Sequence, residues 1–376
     1  MSAEFDCPFD YWKCYIRIYG CCNGLFCLNS DHKLLCIWNP ITDEYKKLPE
    51  IPDEEGPRGP IVFVSVPKYG FGYDYKTGEY KVVKILTPGR GKGSKVWVYT
   101  LGTDSWRVLG DIPYVFYFGG VSRNGVFLNG VLHWLTYPQD RINKPIRVIL
   151  SFDVGEEKFT EMQLPIPLCG SREGEHSFKT SISLLDGKLC LSWNLGDANV
   201  DVWVMKNYGV IESWTKLFSV NRLKEDVAYL RPLQSLKNGD VLLLGQPLNQ
   251  LTRYNGDLIL YSPVIGNARF LDTSGYQILD DARTYVGSPL SVKSDCNAGQ
   301  EVIDHQEHNC MKYQYLLHLD SLTKEEYAEY MHEESDVYEA NEDERSISTN
   351  MNEEGTTEDL MEESWQTKRM RNSTLN

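Results

Sequence analysis

Ten cysteines and seven histidines are the side chains of this chain best suited to hold a metal or to act as nucleophiles. Zinc sites pair cysteines two to four residues apart and add a second Cys or His pair downstream. Cys7, Cys14, Cys21, Cys22, Cys27 and Cys36 are instead separated by six, six, zero, four and eight residues, and no C-x₂-C occurs. Cys27, Cys36 and Cys190 stand in "LFCL", "LLCI" and "KLCL", where a small apolar side chain suits a buried strand. The four histidines His305, His308, His318 and His332 fall late in the chain, and His32, His133 and His176 are far apart. "GRGKGSK" at 89–95 lacks the order of a phosphate-binding loop. No nucleophile or zinc-protease motif appears. The expectation is a protein without catalytic, cofactor or metal residues, and so not an enzyme.

What must position any binding residues is a unit that repeats. "IWNPITDEYKKLP" at 37–49, "VYTLGTDSWRVLG" at 98–110 and "SFDVGEEKFTEMQ" at 151–163 are each an apolar strand, a polar turn and a second strand. Aromatic pairs seven apart mark them: Trp38 with Tyr45, Tyr99 with Trp106, Phe152 with Phe159. Looser copies follow, and the anchors Trp38, Tyr99, Phe152, Met205 and Tyr261 are 61, 53, 53 and 56 residues apart. Another hairpin precedes each, with its turn at Gly24, Gly78, Gly130, Gly187 or Gly239, because such turns need a residue tolerant of positive φ. Five four-stranded units result. Strands such as "LLCIW", "VWVYTL" and "VLLLG" are apolar on both parities. A sandwich would wet one face of each sheet, whereas blades stacked around an axis bury both. The predicted fold is all-β: a kelch-like β-propeller of five visible four-stranded units, with a partial sixth left open at 284–293. The aromatic residues, Trp134 among them, are read as core.

A four-stranded meander sorts its connections. The first and third turns of each unit leave at one end; the second connection and the inter-unit loop leave at the other. The first turns are tight, while the second connections, such as 87–94 and 137–145, and the loops at 50–60 and 169–177 are long. Elaborated loops on a rigid scaffold are where recognition lives. Candidate partner-binding residues on that end are Arg90, Lys92, Lys95, Arg141, Lys144 and Arg172, with the acids Glu54 and Glu55. This mixture suits a charged protein partner.

The formal charge of −15 is confined to one region. Residues 295–376 hold 21 acids and 6 bases, while the other 294 residues are balanced. Residues 1–293 are therefore read as the propeller. Residues 294–376 are read as an acidic, largely disordered tail with one short helix near 324–333, where Thr323 and Glu326 have capping-box spacing. A balanced body predicts no nucleic-acid partner. No apolar run approaches the roughly 18 residues of a membrane span, and the acidic start is unlike a signal peptide. The expected location is cytoplasmic.

"YGCCNGLFCL", "IWNPITDEYKKLP", "YGFGYDYKTGEYKVVKI" and "VFLNGVLHWL" resemble the plant F-box-associated, kelch-like domain, and among its members the S-locus F-box proteins. That resemblance covers roughly residues 5–293. It implies the substrate-recognition module of an SCF-type ubiquitin ligase. In that setting an F-box engages a Skp-type adaptor and cullin, and the propeller grips a target protein, in the S-locus group an S-ribonuclease. No F-box-like segment is read within this chain, so the adaptor and cullin are expected only if the full gene product supplies one. Without it, the expectation is a pseudo-receptor or a general protein-binding propeller.

Overall fold

A computed structural model describes residues 16–30, 34–51, 67–88, 93–116, 124–141, 147–165, 180–194, 199–221, 227–247, 256–271 and 292. The tail at 294–376, with its expected helix, lies outside the described residues.

The described residues form five antiparallel sheets, each a meander in sequence order. Blade 1 is β1 (Ile16–Cys22), β2 (Leu25–Ser30), β3 (Leu35–Asn39) and β4 (Glu44–Lys47). Blade 2 is β5 (Lys68–Asp74), β6 (Glu79–Leu86), β7 (Ser94–Thr100) and β8 (Ser105–Ile112). In blade 3 the short β9 (Tyr114–Val115) pairs with β11 (Val131–Pro138), beside β10 (Val126–Leu128), β12 (Val148–Asp153) and β13 (Lys158–Gln163). This fifth strand had no counterpart in the repeat. Blade 4 is β14 (Thr180–Leu185), β15 (Lys188–Asn194), β16 (Asn199–Met205) and β17 (Trp214–Asn221). Blade 5 is β18 (Val227–Ser235), β19 (Val241–Pro247), β20 (Asp257–Ser262) and β21 (Asn267–Phe270). Among the described residues the helical elements are short 3₁₀ turns, and no helix is long and apolar enough to cross a membrane.

The packing explains the two-parity pattern. One cluster joins blades 1 and 2 through Ile37, Phe71, Val82 and Trp97. The next residues in line, Val83, Val96 and Val98, turn the other way and join Trp134, Leu150 and Phe152 of blade 3. Blade 4 repeats this, Leu189 and Leu191 facing blade 3 while Cys190 faces blade 5. Blades 2, 3 and 4 therefore each lie between two others, as in a β-propeller. The first strands β1, β5, β10, β14 and β18 approach one another and surround the axis.

The seven-residue aromatic spacing has a geometric cause. The turn puts Trp38 opposite Tyr45, Tyr99 opposite Trp106 and Phe152 opposite Phe159 in the strand register. The rings of Tyr99 and Trp106 are 5.4 Å apart, those of Phe152 and Phe159 4.7 Å. Trp38 packs on Phe26 of its own blade, with centroids 6.1 Å apart, and is not part of the blade 1–blade 2 cluster. The first turns of blades 1, 3 and 4 carry positive φ at two successive residues: Asn23 and Gly24, Asn129 and Gly130, Asp186 and Gly187. That pair defines the tight hairpin turn matching strand twist. Gly239 has φ 92° in the corresponding turn of blade 5.

Of the segment 284–293, Val292 is described. Its side chain is buried in the blade 1–blade 2 cluster, and its N–H donates to Glu44 Oε2 at 2.9 Å. The chain beyond blade 5 thus returns to blade 1.

Candidate functional site

The strand directions define two ends. β1 begins, and β21 ends, at the long-connection end; all first and third turns lie at the other. Most of the charged residues predicted to bind a partner, Arg90, Lys92, Lys144, Arg172, Glu54 and Glu55, lie outside the described residues. Arg141 ends the 3₁₀ turn Gln139–Arg141, and its side chain is likewise outside them. Lys95 is described on β7, where its ammonium sits 5.2 Å from the centroid of Trp97. Cations over an indole face are held by the ring quadrupole, so Lys95 is already engaged on its own blade. Nearby, Arg147 donates from Nε to the Tyr137 hydroxyl at 2.8 Å and from Nη1 to the Thr180 carbonyl at 3.3 Å. It thereby ties blade 3 to blade 4 at this end. Sequence reading missed it, although an Arg beside a strand start is a visible signal.

On the axis lies a cavity of about 100 Å³ lined by all five first strands, including Cys21, Phe71, Phe127, Ser183, Leu184 and Arg231. Gly20 and Gly125 let the walls approach: a Cβ on Gly20 would stand 2.7 Å from Phe71 Cβ, and one on Gly125 2.6 Å from the Trp134 ring. Toward the long-connection end the inner strands lock together. The Asn124 side chain donates to Ile18 O at 2.8 Å, Gly125 N donates to Tyr69 O at 2.6 Å, and Trp134 Nε1 donates to the same carbonyl at 3.2 Å. Asn124 therefore joins blades 1 and 3 beside the blade 2 contact. The cavity occupies the half of the axis nearer the tight turns, and the repeat pattern alone did not reveal it.

The titratable groups elsewhere are held in structural roles. Burial pushes the thiols of Cys22 and Cys27 far above the usual range and Cys190 up to about 12. Protonated buried thiols are poor nucleophiles and poor metal ligands. Cys27, Cys36 and Cys190 are buried, as their strand context implied. Burial lowers the His133 pKa to about 4, although its bond to Val126 O opposes the shift. Nδ1 of that ring lies 3.1 Å from Val126 O and must donate, so Nε2 accepts from the Tyr208 hydroxyl at 2.8 Å. No group of three metal-ligating side chains is gathered among the described residues.

The densest polar cluster sits between blades 2 and 3 at the tight-turn end. Lys81 Nζ donates to Asp74 Oδ2 at 3.0 Å, Val154 O at 2.9 Å and Glu157 Oε1 at 2.9 Å. Arg107 also pairs with Glu157, and Lys76 with Glu156. Burial alone would raise the Asp74 pKa. The hydrogen bonds from Lys81, Thr77 and the amides of Lys76 and Thr77 outweigh it and hold it at about 2. This is a clamp between blades, with every partner supplied by the protein.

Fold and site together define a propeller that presents two loop surfaces and an axial cavity, the form of a binding scaffold. A family model described as "F-box associated beta propeller domain" matches residues 3–241, and the chain belongs to that family. The Arabidopsis thaliana "F-box/kelch-repeat protein At3g23880" is 29% identical over 282 residues, covering 74% of this chain and 69% of that protein. The "F-box protein At3g07870" of the same plant is 33% identical over 291 residues, covering 68% of this chain and 65% of that protein. The "F-box protein CPR1" is 31% identical over 250 residues, covering 61% and 58%. The chain thus spans about three-fifths to two-thirds of the length of these relatives.

Proposed function

We propose that this chain is the target-recognition part of an SCF-type ubiquitin ligase, acting by binding and not by catalysis. The observation that carries the reading is the family match over 3–241, supported by relatives named as F-box proteins. Target recognition uses the long-connection end, where Arg90, Lys92, Lys95, Arg141, Lys144, Arg172, Glu54 and Glu55 supply mixed charge. Such charge sets specificity and on-rate more than raw affinity. The motif resemblance to S-locus F-box proteins makes an S-ribonuclease the proposed target. Contact with a Skp-type adaptor and cullin goes through an F-box in the full gene product, and the site of action is the cytoplasm.

The test has two arms. Purified chain is titrated with a panel of S-ribonucleases, and separately with the Skp-type adaptor. Binding of one or more ribonucleases, with weak or no adaptor binding by this segment alone, supports a recognition module. Failure to bind any ribonuclease removes the S-locus target while leaving the family role standing. Direct adaptor binding by this chain would overturn the idea that an F-box elsewhere is needed.

A further inference from the structure

The end opposite those loops has its own character. Its ten turns are all described, so its surface can be read residue by residue. Among the described residues, six of the nine exposed large apolar side chains lie there: Ile41, Tyr75, Tyr208, Val210, Val264 and Ile265, with Val264 91% exposed. The other three described ones, Leu34, Val108 and Leu217, are scattered singly. Five of the six lie on third turns, at the outer radius: Ile41 on blade 1, Tyr208 and Val210 on blade 4, Val264 and Ile265 on blade 5. Blades 4 and 5 share a core cluster and are neighbours. Concentrated exposed apolar side chains mark interaction sites more often than scattered ones do.

Charge separates the two ends further. The ten turns contain seven acids and three lysines; Asp104 pairs with Lys46, Glu156 with Lys76 and Lys158, and Glu157 with Lys81 and Arg107, and the other four acids are Asp43, Asp186, Glu212 and Asp240 against Lys206 and Lys237. The connections of the other end are slightly basic. Two of the acids stand beside the apolar residues: Asp43 follows Ile41, and Glu212 follows Val210, both acids exposed. The turns are also preorganised. Ile41 N bonds Asn39 Oδ1 at 3.0 Å, the Ser213 hydroxyl bonds Val210 O at 2.6 Å, and Gly266 N bonds Ser262 O at 2.8 Å. A surface already fixed loses little conformational entropy on binding. The chain enters β1 and leaves β21 at the far end, so neither strand terminus crosses this face.

We propose that the tight-turn face is a second docking surface, and that its partner is a protein segment with basic side chains set among aliphatic or aromatic ones. The apolar side chains of the third turns supply the contact area, and the acids select for positive charge. This surface is independent of the ligase reading, because it uses none of the residues of the long-connection end.

The probe is a synthetic twelve-residue peptide of lysine interleaved with leucine and tryptophan, carrying one photo-crosslinker. The control peptide has glutamate for lysine. The full chain is used throughout. The expected result is crosslinks mapping to 40–43, 206–213 and 263–266, with affinity at least tenfold lower at 300 mM than at 50 mM salt. The double variant Val264→Ser/Ile265→Ser should weaken binding at least fivefold, and Asp43→Asn/Glu212→Gln likewise, with melting temperatures unchanged, since Asn tolerates the φ of 56° at residue 43. Arg90→Glu/Lys92→Glu should leave it unaltered. Crosslinks confined to the acidic tail or the long connections overturn the proposal, as do equal binding by the turn variants, equal binding of the glutamate peptide, or no binding.

Discussion

The two ends of the propeller are built by opposite rules. At the tight-turn end the backbone leaves little choice. Asn129 and Gly130, with φ 52° and 81°, make a turn that few other residue pairs adopt, and the side chains nearby knit neighbouring blades together. Lys81 of blade 2 binds Glu157 of blade 3, and His133 of blade 3 meets Tyr208 of blade 4. At the long-connection end the blades are joined by Asn124 near the axis and by Arg147 farther out, while the connections vary in length and sequence from unit to unit. The lesson is a division of labour. Substitutions in the blades and in the turn backbone should act on stability, and substitutions in the long connections on target recognition, while exposed side chains of the third turns can change without loss of stability.

The largest effect should come from Trp134→Ala. Trp134 is buried against Gly70 and Gly125 in the blade 2–blade 3 cluster, and it donates to Tyr69 O. Removing the indole leaves a cavity that glycine neighbours cannot fill, at a cost of about 3–5 kcal/mol. Chemical denaturation measures it, and a loss under about 1 kcal/mol would mean the axis does not depend on this contact. Next comes Lys81→Met, which leaves the buried Asp74 without its cation and the half-buried Glu157 with Arg107 alone, at about 3 kcal/mol. Its pH dependence has a definite sign. Asp74 is depressed in the folded state to about 2 from about 3.9 unfolded. Its contribution is therefore present above about pH 4 and is lost as pH falls from 4 to 2. In Lys81→Met the acid unfolding midpoint should move upward; an unmoved midpoint would break the link between the clamp and the carboxylate.

His133 gives the third test. Burial lowers its pKa to about 4 against about 6.5 in the unfolded chain. Below pH 6.5 the unfolded state takes up a proton that the folded state refuses, so stability falls as pH drops from 6.5 toward 4. At pH 5 this amounts to about 2 kcal/mol. His133→Gln retains a polar group for Tyr208 but does not titrate, so the difference in melting temperature between variant and parent should shrink steadily over that window in the variant's favour. A constant difference would show that the folded and unfolded chains take up this proton alike, so that burial does not lower the His133 pKa.

What could be read from the sequence follows the same division. Strands and tight turns obey local rules, and those rules are written in single residues: Gly187 where φ must be 69°, Phe152 and Phe159 where a turn sets them opposite each other in the register. The axial cavity and the Lys81 clamp were not legible, because their members come from strands tens of residues apart and only the ring assembles them. Nothing near Lys81 in the sequence points to Glu157, which stands 2.9 Å from its ammonium. Trp38 shows the limit from the other side. Trp38 is buried, and which neighbour it packs on depends on the face its strand turns toward blade 2. The apolar side chains on third turns were visible in sequence, yet as turn residues they drew no attention.

The smallest stability effects sharpen the comparison best. Gly187→Ala puts a Cβ where φ is 69° with nothing within 4 Å to clash. The cost is then purely backbone, about 1–2 kcal/mol, and target binding at the far end should be unchanged. The triple variant Arg90→Glu/Lys92→Glu/Lys95→Glu should do the reverse. Its stability should stay within about 1 kcal/mol of the parent, because charges on connections contribute little to folding and Lys95 gives up only its place over Trp97. Its affinity for the proposed target should fall, and the salt dependence of that affinity should flatten, because three attractive charges have become repulsive. Lys95 makes this more than a loop test, since its reversal also removes the cation over Trp97. Comparing the triple with Arg90→Glu/Lys92→Glu separates the two parts. If the double variant already weakens binding, the 89–92 connection touches the target; if only the triple does, the effect enters through the blade, and the division between scaffold and loops fails at that strand.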